Sequence, residues 1–249
     1  MLIKGINSNI RVTGSGKDVI LLHGWGQNMI MMKFIEDYLR IVFRVMNLDL
    51  PGFGESEEPK EPWGVQDYTD WMIELFKELK VENPIIIGHS FGCRMAIHYA
   101  SEYPVYKMIL TGAAGIREKQ SSLEKFKISG FKAAKKLLDS LGLQEVEESM
   151  KKLVGSSDYR NVSGIMRETF VKCVNDDVTP ILPLVKCPAL LVVVGSKDTG
   201  TPLWMAHQME KMMVDAGLAV FEGDDHYAYY HQWQRFNGVL EAFIGGDRS

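Results

Sequence analysis

Apolar residues in this chain fall into short unbroken runs, separated by stretches in which they recur every three or four positions. The runs at 19–23 (VILLH), 43–50 (FRVMNLDL), 84–90 (PIIIGHS), 107–113 (KMILTGA), 189–195 (ALLVVVG) and 218–224 (LAVFEGD) have strand length. They are rich in β-branched residues and largely lack apolar/polar alternation, the pattern of parallel strands covered on both faces. Helical spacing fills the gaps at 31–40, 66–79, 91–101 and 202–216. Strand and helix in turn predict an α/β fold, a doubly wound and mostly parallel sheet with right-handed crossovers. The N-terminal stretch, split by Gly14 and Gly16, predicts one or two edge strands in a short hairpin.

The alternation breaks at 116–178, where strand-like runs vanish and Lys/Glu-rich helical patterns take over. Phe131, Ala134, Leu138 and Leu141 recur at helical spacing, Lys132, Lys135 and Lys136 fall off that stripe, and further helices are expected at 146–154 and 163–173. An amphipathic group of this kind needs an apolar surface to cover. In open α/β sheets ligands bind outside the carboxyl ends of the strands, and an insertion after the 107–113 strand emerges there. The expected organisation is therefore a core of 1–115 and 179–249 with 116–178 as a helical cap. Phe131, Leu138 and Leu141 are candidates for the wall of a substrate pocket.

Composition narrows the function. A chain of 249 residues suffices for one such domain. Its formal net charge of -4 gives no basic excess with which to meet nucleic acid or anionic membranes. The segment MLIKGINSNIRVTGSGKD lacks the apolar core and cleavage site of a signal peptide, and no uncharged apolar run is long enough to span a bilayer, so a cytoplasmic location is expected. Cys93, Cys173 and Cys187 are odd in number and lack metal-ligand spacing, which argues against disulfides and zinc. The lysines of the 131–141 stretch leave room for an anionic carrier protein or lipid, but a solvated face is the usual explanation of such a run.

The candidate chemistry begins with GHSFG at 88–92. It follows a strand and precedes a helical pattern, the setting of a nucleophile elbow, in which Ser90 takes a strained positive φ that Gly88 and Gly92 give room for. Attack by Ser90 Oγ on a carbonyl creates an oxyanion, which needs two backbone N–H donors. Phe91 N–H is one. The other is expected from the bare loop Gly24-Trp25-Gly26 after the first long strand, and Trp25 N–H is the candidate.

With HGWG (23–26), DLPGFGES (49–56), GHSFGC (88–93), GSKDTGTP (195–202) and GDDH (223–226) in this order, the chain resembles the α/β-hydrolase superfamily in its capped, esterase-like branch. HGWG with DLPGFG also resembles, more distantly, the esterases that cleave pimeloyl-carrier-protein methyl ester. The resemblance implies the order nucleophile, acid, histidine, which falls on Ser90, Asp198 and His226. The chemistry agrees, because a serine hydroxyl needs an imidazole to take its proton and the imidazole needs a carboxylate to fix its tautomer. Asp225, adjoining His226, is the rival acid and Asp224 a weaker one; Asp49 is read as bracing the PGFG turn and His23 as bonded to local backbone. The expected function is cleavage of a small-molecule carboxylic ester through an acyl-enzyme, without metal or other cofactor. Thioesterase, lactonase, perhydrolase and carbon–carbon bond hydrolase activities keep the same residues and stay open, as does a small-molecule sensor of this fold.

Overall fold

A computed structural model of the protein describes residues 1–117, 159–160, 162–194 and 197–247. Strands β1 (Leu2–Ile3) and β2 (Ile6–Asn7) pair through the two-residue turn Lys4-Gly5, both residues at positive φ, as right-handed strand twist favours in so short a loop. Strand β3 (Ile10–Thr13) then joins the main sheet, followed by β4 (Asp18–Leu22), β5 (Arg44–Leu48), β6 (Ile85–His89), β7 (Lys107–Thr111), β8 (Ala189–Val194) and β9 (Ala216–Phe221). The sheet has seven strands in the order β3-β5-β4-β6-β7-β8-β9, with β3 antiparallel and the other six parallel. This is the expected doubly wound sheet.

The N-terminal hairpin needs correction. It closes at Lys4-Gly5, and Gly14 and Gly16 do not fold β3 back onto β4. They carry the chain across the start of β5, where both have positive φ and a Cβ on Gly14 would run into the carbonyl oxygens of Arg40 and Phe43.

Among the described residues the helices are α1 (Lys33–Leu39), entered by a 3₁₀ turn at Met29–Met32, α2 (Val65–Leu79), α3 (Phe91–Glu102), α4 (Gly164–Val174), α5 (Leu203–Met212), α6 (Ala228–His231) and α7 (Trp233–Ile244). None of the described helices is long and apolar enough to cross a membrane. Successive strand residues point to opposite faces and both faces are dry. Ile20, Leu22, Met46, Ile86 and Met108 pack under α2, α3 and α5 with Trp71, Met95 and Met209. Val19, Leu21, Val45, Ile85 and Ile109 pack under α1 and α7 with Ile35, Phe236 and Leu240.

The chain leaves β4 toward β5 on one side and returns to place β6 on the other. Such a reversal opens a crevice at the carboxyl ends of the two strands, where the loop 23–26 and Ser90 emerge. Helix α4 lies over this end, with Trp63 N–H donating to Thr169 Oγ1 (3.1 Å) and Lys172 Nζ to the Pro62 carbonyl (2.6 Å). Gly52 (φ 85°) faces the Met166 side chain so closely that a Cβ there would need Met166 to move.

Candidate active site

Ser90 occupies the turn between β6 and α3 at φ 49° and ψ −104°, a conformation that L-residues seldom adopt. Its own N–H donates to the Thr111 carbonyl on β7 (2.9 Å), and Cys93 N–H donates to its carbonyl (3.1 Å), so both neighbours hold the strain in place. The flanking glycines have separate reasons. A Cβ on Gly88 would meet the backbone of Gly92 and Cys93 at 3.0 Å, and one on Gly92 would press into the backbone and Cβ of Leu22 at the end of β4. Close approach of α3 to β4 brings Phe91, at the helix start, beside the loop 23–26.

That loop is fastened by His23, which is fully buried. Leu50 N–H donates to His23 Nε2 (3.0 Å), so Nδ1 carries the proton and donates to the Gly24 carbonyl (2.7 Å). Burial lowers the His23 pKa to about 4, which keeps this neutral tautomer at ordinary pH. Gly24 is tight against the His89 ring, and Gln27 Oε1 accepts its N–H (3.1 Å). The Trp25 indole meets Phe53, Phe91 and Phe170 edge to face, with centroids at 4.9, 5.4 and 5.1 Å. Asp49 braces the neighbouring turn by accepting from Met29 N–H (2.7 Å), Glu55 N–H (2.9 Å) and Asn9 Nδ2 (2.8 Å).

Asp198 follows β8 and His226 follows β9, and the structure brings them together. His226 Nδ1 lies 2.8 Å from Asp198 Oδ2. Thr201 Oγ1 also donates to Oδ2 (2.6 Å), while Gly200 N–H (2.8 Å) and Thr201 N–H (2.9 Å) donate to Oδ1. Burial works against the charged carboxylate, but the bonds from His226 and Thr201 outweigh it and hold the Asp198 pKa well below the ordinary range. With Nδ1–H given to the carboxylate, Nε2 is left as the basic nitrogen of His226. Gly112 (φ 52°), just after β7, makes room for the ring: a Cβ there would lie 2.9 Å from His226 Cε1.

The rivals are engaged elsewhere. Asp225 accepts Tyr227 N–H (2.9 Å) and faces His231 (3.4 Å). Asp224 binds His231 Nδ1 (2.9 Å) and Gln232 Nε2 (2.9 Å).

Trp25, Ser90, Phe91, Asp198 and His226 all line one cavity of about 520 Å³. Phe131, Leu138 and Leu141 lie outside the described residues. On the described part of the 116–178 stretch, the cavity is lined by Phe170, Cys173 and Val174 of α4. Burial pushes the Cys173 thiol up to about 12, so it offers no competing thiolate.

Three contributors were not singled out from the sequence: Thr201, three residues after Asp198; Arg94, one helical turn after Ser90; and His89, directly before Ser90. His89 is fully buried, with Nδ1 at 3.1 Å from Thr111 Oγ1 and its ring 4.8 Å from that of His226. Burial, and then the charge His226 can acquire, push its pKa well below the ordinary value, so His89 packs as a neutral ring.

A sequence model of the Alpha/beta hydrolase family matches residues 19–239, which include Trp25, Ser90, Phe91, Asp198 and His226. The chain belongs to this family. Among related proteins, the AB hydrolase superfamily protein YisY of Bacillus subtilis is 27% identical over 258 residues, covering 92% of each chain. An esterase from Exiguobacterium antarcticum superposes with a TM-score of 0.76 at 22% identity, covering 98% of both chains. The meta-cleavage product hydrolase CumD of Pseudomonas fluorescens superposes with a TM-score of 0.74 at 22% identity, covering 99% of this chain and 97% of that one. The fold is thus shared by proteins whose names state different activities.

Proposed function

We propose that this hydrolase cleaves carboxylic esters through an acyl-enzyme on Ser90. The observation that carries the reading is that a serine at φ 49° on a strand–turn–helix junction shares its cavity with a histidine whose Nδ1 is bonded to a buried carboxylate. Ser90 Oγ attacks the ester carbonyl as its proton passes to His226 Nε2. The tetrahedral oxyanion is met by the N–H groups of Phe91 and Trp25, and Asp198 stabilises the imidazolium. The intermediate collapses as His226 returns the proton to the leaving alkoxide, which departs as alcohol. Water then gives its proton to His226, attacks the acyl-enzyme and releases the acid with Ser90 restored.

Residues 116–178 act as the cap over this site. Support comes from α4, whose Phe170, Cys173 and Val174 supply part of an apolar wall. Lactone hydrolysis breaks the same acyl C–O bond within a ring, whereas carbon–carbon cleavage needs a leaving carbon that can hold the electron pair as an enolate and then take a proton, so a lactone and a β-diketone assayed beside the esters decide among them. The test is turnover of aryl esters from acetyl to decanoyl by the purified chain and by Ser90→Ala. Turnover that Ser90→Ala abolishes supports the reading. Saturable ester binding with negligible turnover makes the protein a sensor of this fold instead.

A further inference from the structure

Arg94 is an unusual occupant of the wall of an ester-cleaving cavity. It lies one turn along α3 from Ser90, its side chain is only 12% exposed, and it borders the cavity beside Phe91, Ala114, Phe170, Cys173 and Val174. A guanidinium taken out of water must be repaid by hydrogen bonds, and it has five N–H groups to place. Among the described residues its partner is Asp176. One Nη1 donates to the Asp176 main-chain carbonyl, and the same nitrogen stands 3.9 Å from the carboxylate. That carboxylate is already taken by His98 Nε2, at 3.0 Å and 3.2 Å from its two oxygens. Arg94 is thus anchored through Nη1 to Asp176, by its carbonyl and by a long ion pair, while among the described residues its Nε and Nη2 have no hydrogen-bond partner and its side chain borders the cavity.

The other charged groups around the cavity do not fill this role. Asp198 is committed to His226 and Thr201, Asp225 to Tyr227 N–H and His231, and Lys197 is an exposed side chain at the border. A planar fork of N–H donors pairs best with a carboxylate, which it can grip through two parallel bonds. The acyl group is the part of the substrate that stays attached to Ser90. Ser90 and Arg94 stand four residues apart, about 6 Å along the helix axis, so a carboxylate at the far end of a short acyl chain is the group that can meet Arg94, in a cavity that Phe170 and Val174 also line.

We infer that Arg94 holds a carboxylate on the acyl chain, so that the preferred substrates are half-esters of short dicarboxylic acids. The inference rests on Ser90 being the nucleophile, and two readouts separate the claims. The first is kcat/KM for monomethyl glutarate against methyl pentanoate, followed by pH-stat. The second is calorimetric binding of the corresponding unreactive amides, glutaramate and pentanamide, which requires no hydrolysis. The wild-type protein should favour the anionic member of each pair, and Arg94→Gln should reduce both preferences about 10- to 100-fold, the worth of a charge-assisted hydrogen bond. Expressing the result as a ratio removes any general loss of folded protein. Arg94→Lys, which keeps the charge but loses the fork, should recover only part of the preference. The inference is overturned by no anionic preference in either readout, by a preference that survives Arg94→Gln, or by one that Lys197→Gln abolishes while Arg94→Gln does not. Arg94-dependent binding of glutaramate with no hydrolysis of either ester would leave the anion site standing and overturn the esterase reading.

Discussion

Replacing Asp198 with asparagine changes one atom and reverses a hydrogen bond. In the wild-type protein Oδ1 accepts two backbone N–H groups, from Gly200 and Thr201, while Oδ2 accepts from Thr201 Oγ1 and from His226 Nδ1. An amide in this place must keep its carbonyl toward the two backbone donors, because its NH₂ there would face N–H groups. The NH₂ therefore falls where Oδ2 was, 2.8 Å from His226 Nδ1, and donates to it. Nδ1 becomes an acceptor, the proton moves to Nε2, and the imidazole can no longer take the proton of Ser90. The expected loss in kcat is about 10⁴-fold, as for the loss of the orienting carboxylate in other serine hydrolases. The fold should suffer much less. Thr201 Oγ1 can rotate to accept, so the cost is about 1–3 kcal/mol for the lost charge-assisted bonds. Asp225→Asn is the matched control. Its side chain is 51% exposed and its Oδ1 accepts Tyr227 N–H, which an amide oxygen does equally well, so kcat should change only a few-fold. Steady-state kinetics on both purified variants, with thermal unfolding to confirm that each is folded, decides the matter. A folded Asp198→Asn within tenfold of wild type, or an Asp225→Asn that is the more damaged of the two, refutes the reasoning.

Gly112→Ala should lower both activity and stability. Its φ of 52° costs an L-residue about 1–2 kcal/mol, and the new Cβ, 2.9 Å from His226 Cε1, should displace the ring and reduce kcat on the order of 10²-fold. An unchanged kcat would show that the ring tolerates the intrusion. Stability should also fall on acidification. His23 takes up a proton near pH 6.5 when unfolded but only near 4 when folded, so the unfolded state binds more protons in between and stability drops as pH falls through that window. His89, also shifted down, adds in the same direction. Between pH 6.5 and pH 4.5 the stability from urea unfolding should fall by about 1 kcal/mol per pH unit on account of His23, and His23→Gln should flatten the dependence.

The six parallel strands are legible in the sequence because burial on both faces requires continuous apolar runs, and these stand out from helical spacing. Their order is not legible. The pairing of β3 with β5 depends on how tightly Gly14 passes the Arg40 and Phe43 carbonyls, a tertiary contact with no local pattern. Strand ends drift for a similar reason. The last run was expected to reach 224, but Gly223 at φ 79° turns the chain and β9 ends at Phe221. Ser90 is legible from glycines that its strained turn demands. The partner of His226 is not fixed by sequence distance, since Asp225 is adjacent while Asp198 is 28 residues away and arrives only when β8 and β9 pair. Thr201 and Arg94 carry no motif. Their importance lies in what they face, a carboxylate in one case and a cavity in the other.

The central claim is that Ser90 forms the covalent bond to the acyl group. Incubating the intact protein with a fluorophosphonate, which phosphonylates an activated serine and stays attached, and mapping the adduct by peptide mass spectrometry tests it most directly. The account predicts one adduct per chain, on the peptide containing Gly88–Gly92, absent from Ser90→Ala and accompanied by complete loss of ester turnover. Labelling at another serine, or undiminished turnover by the labelled protein, would contradict it.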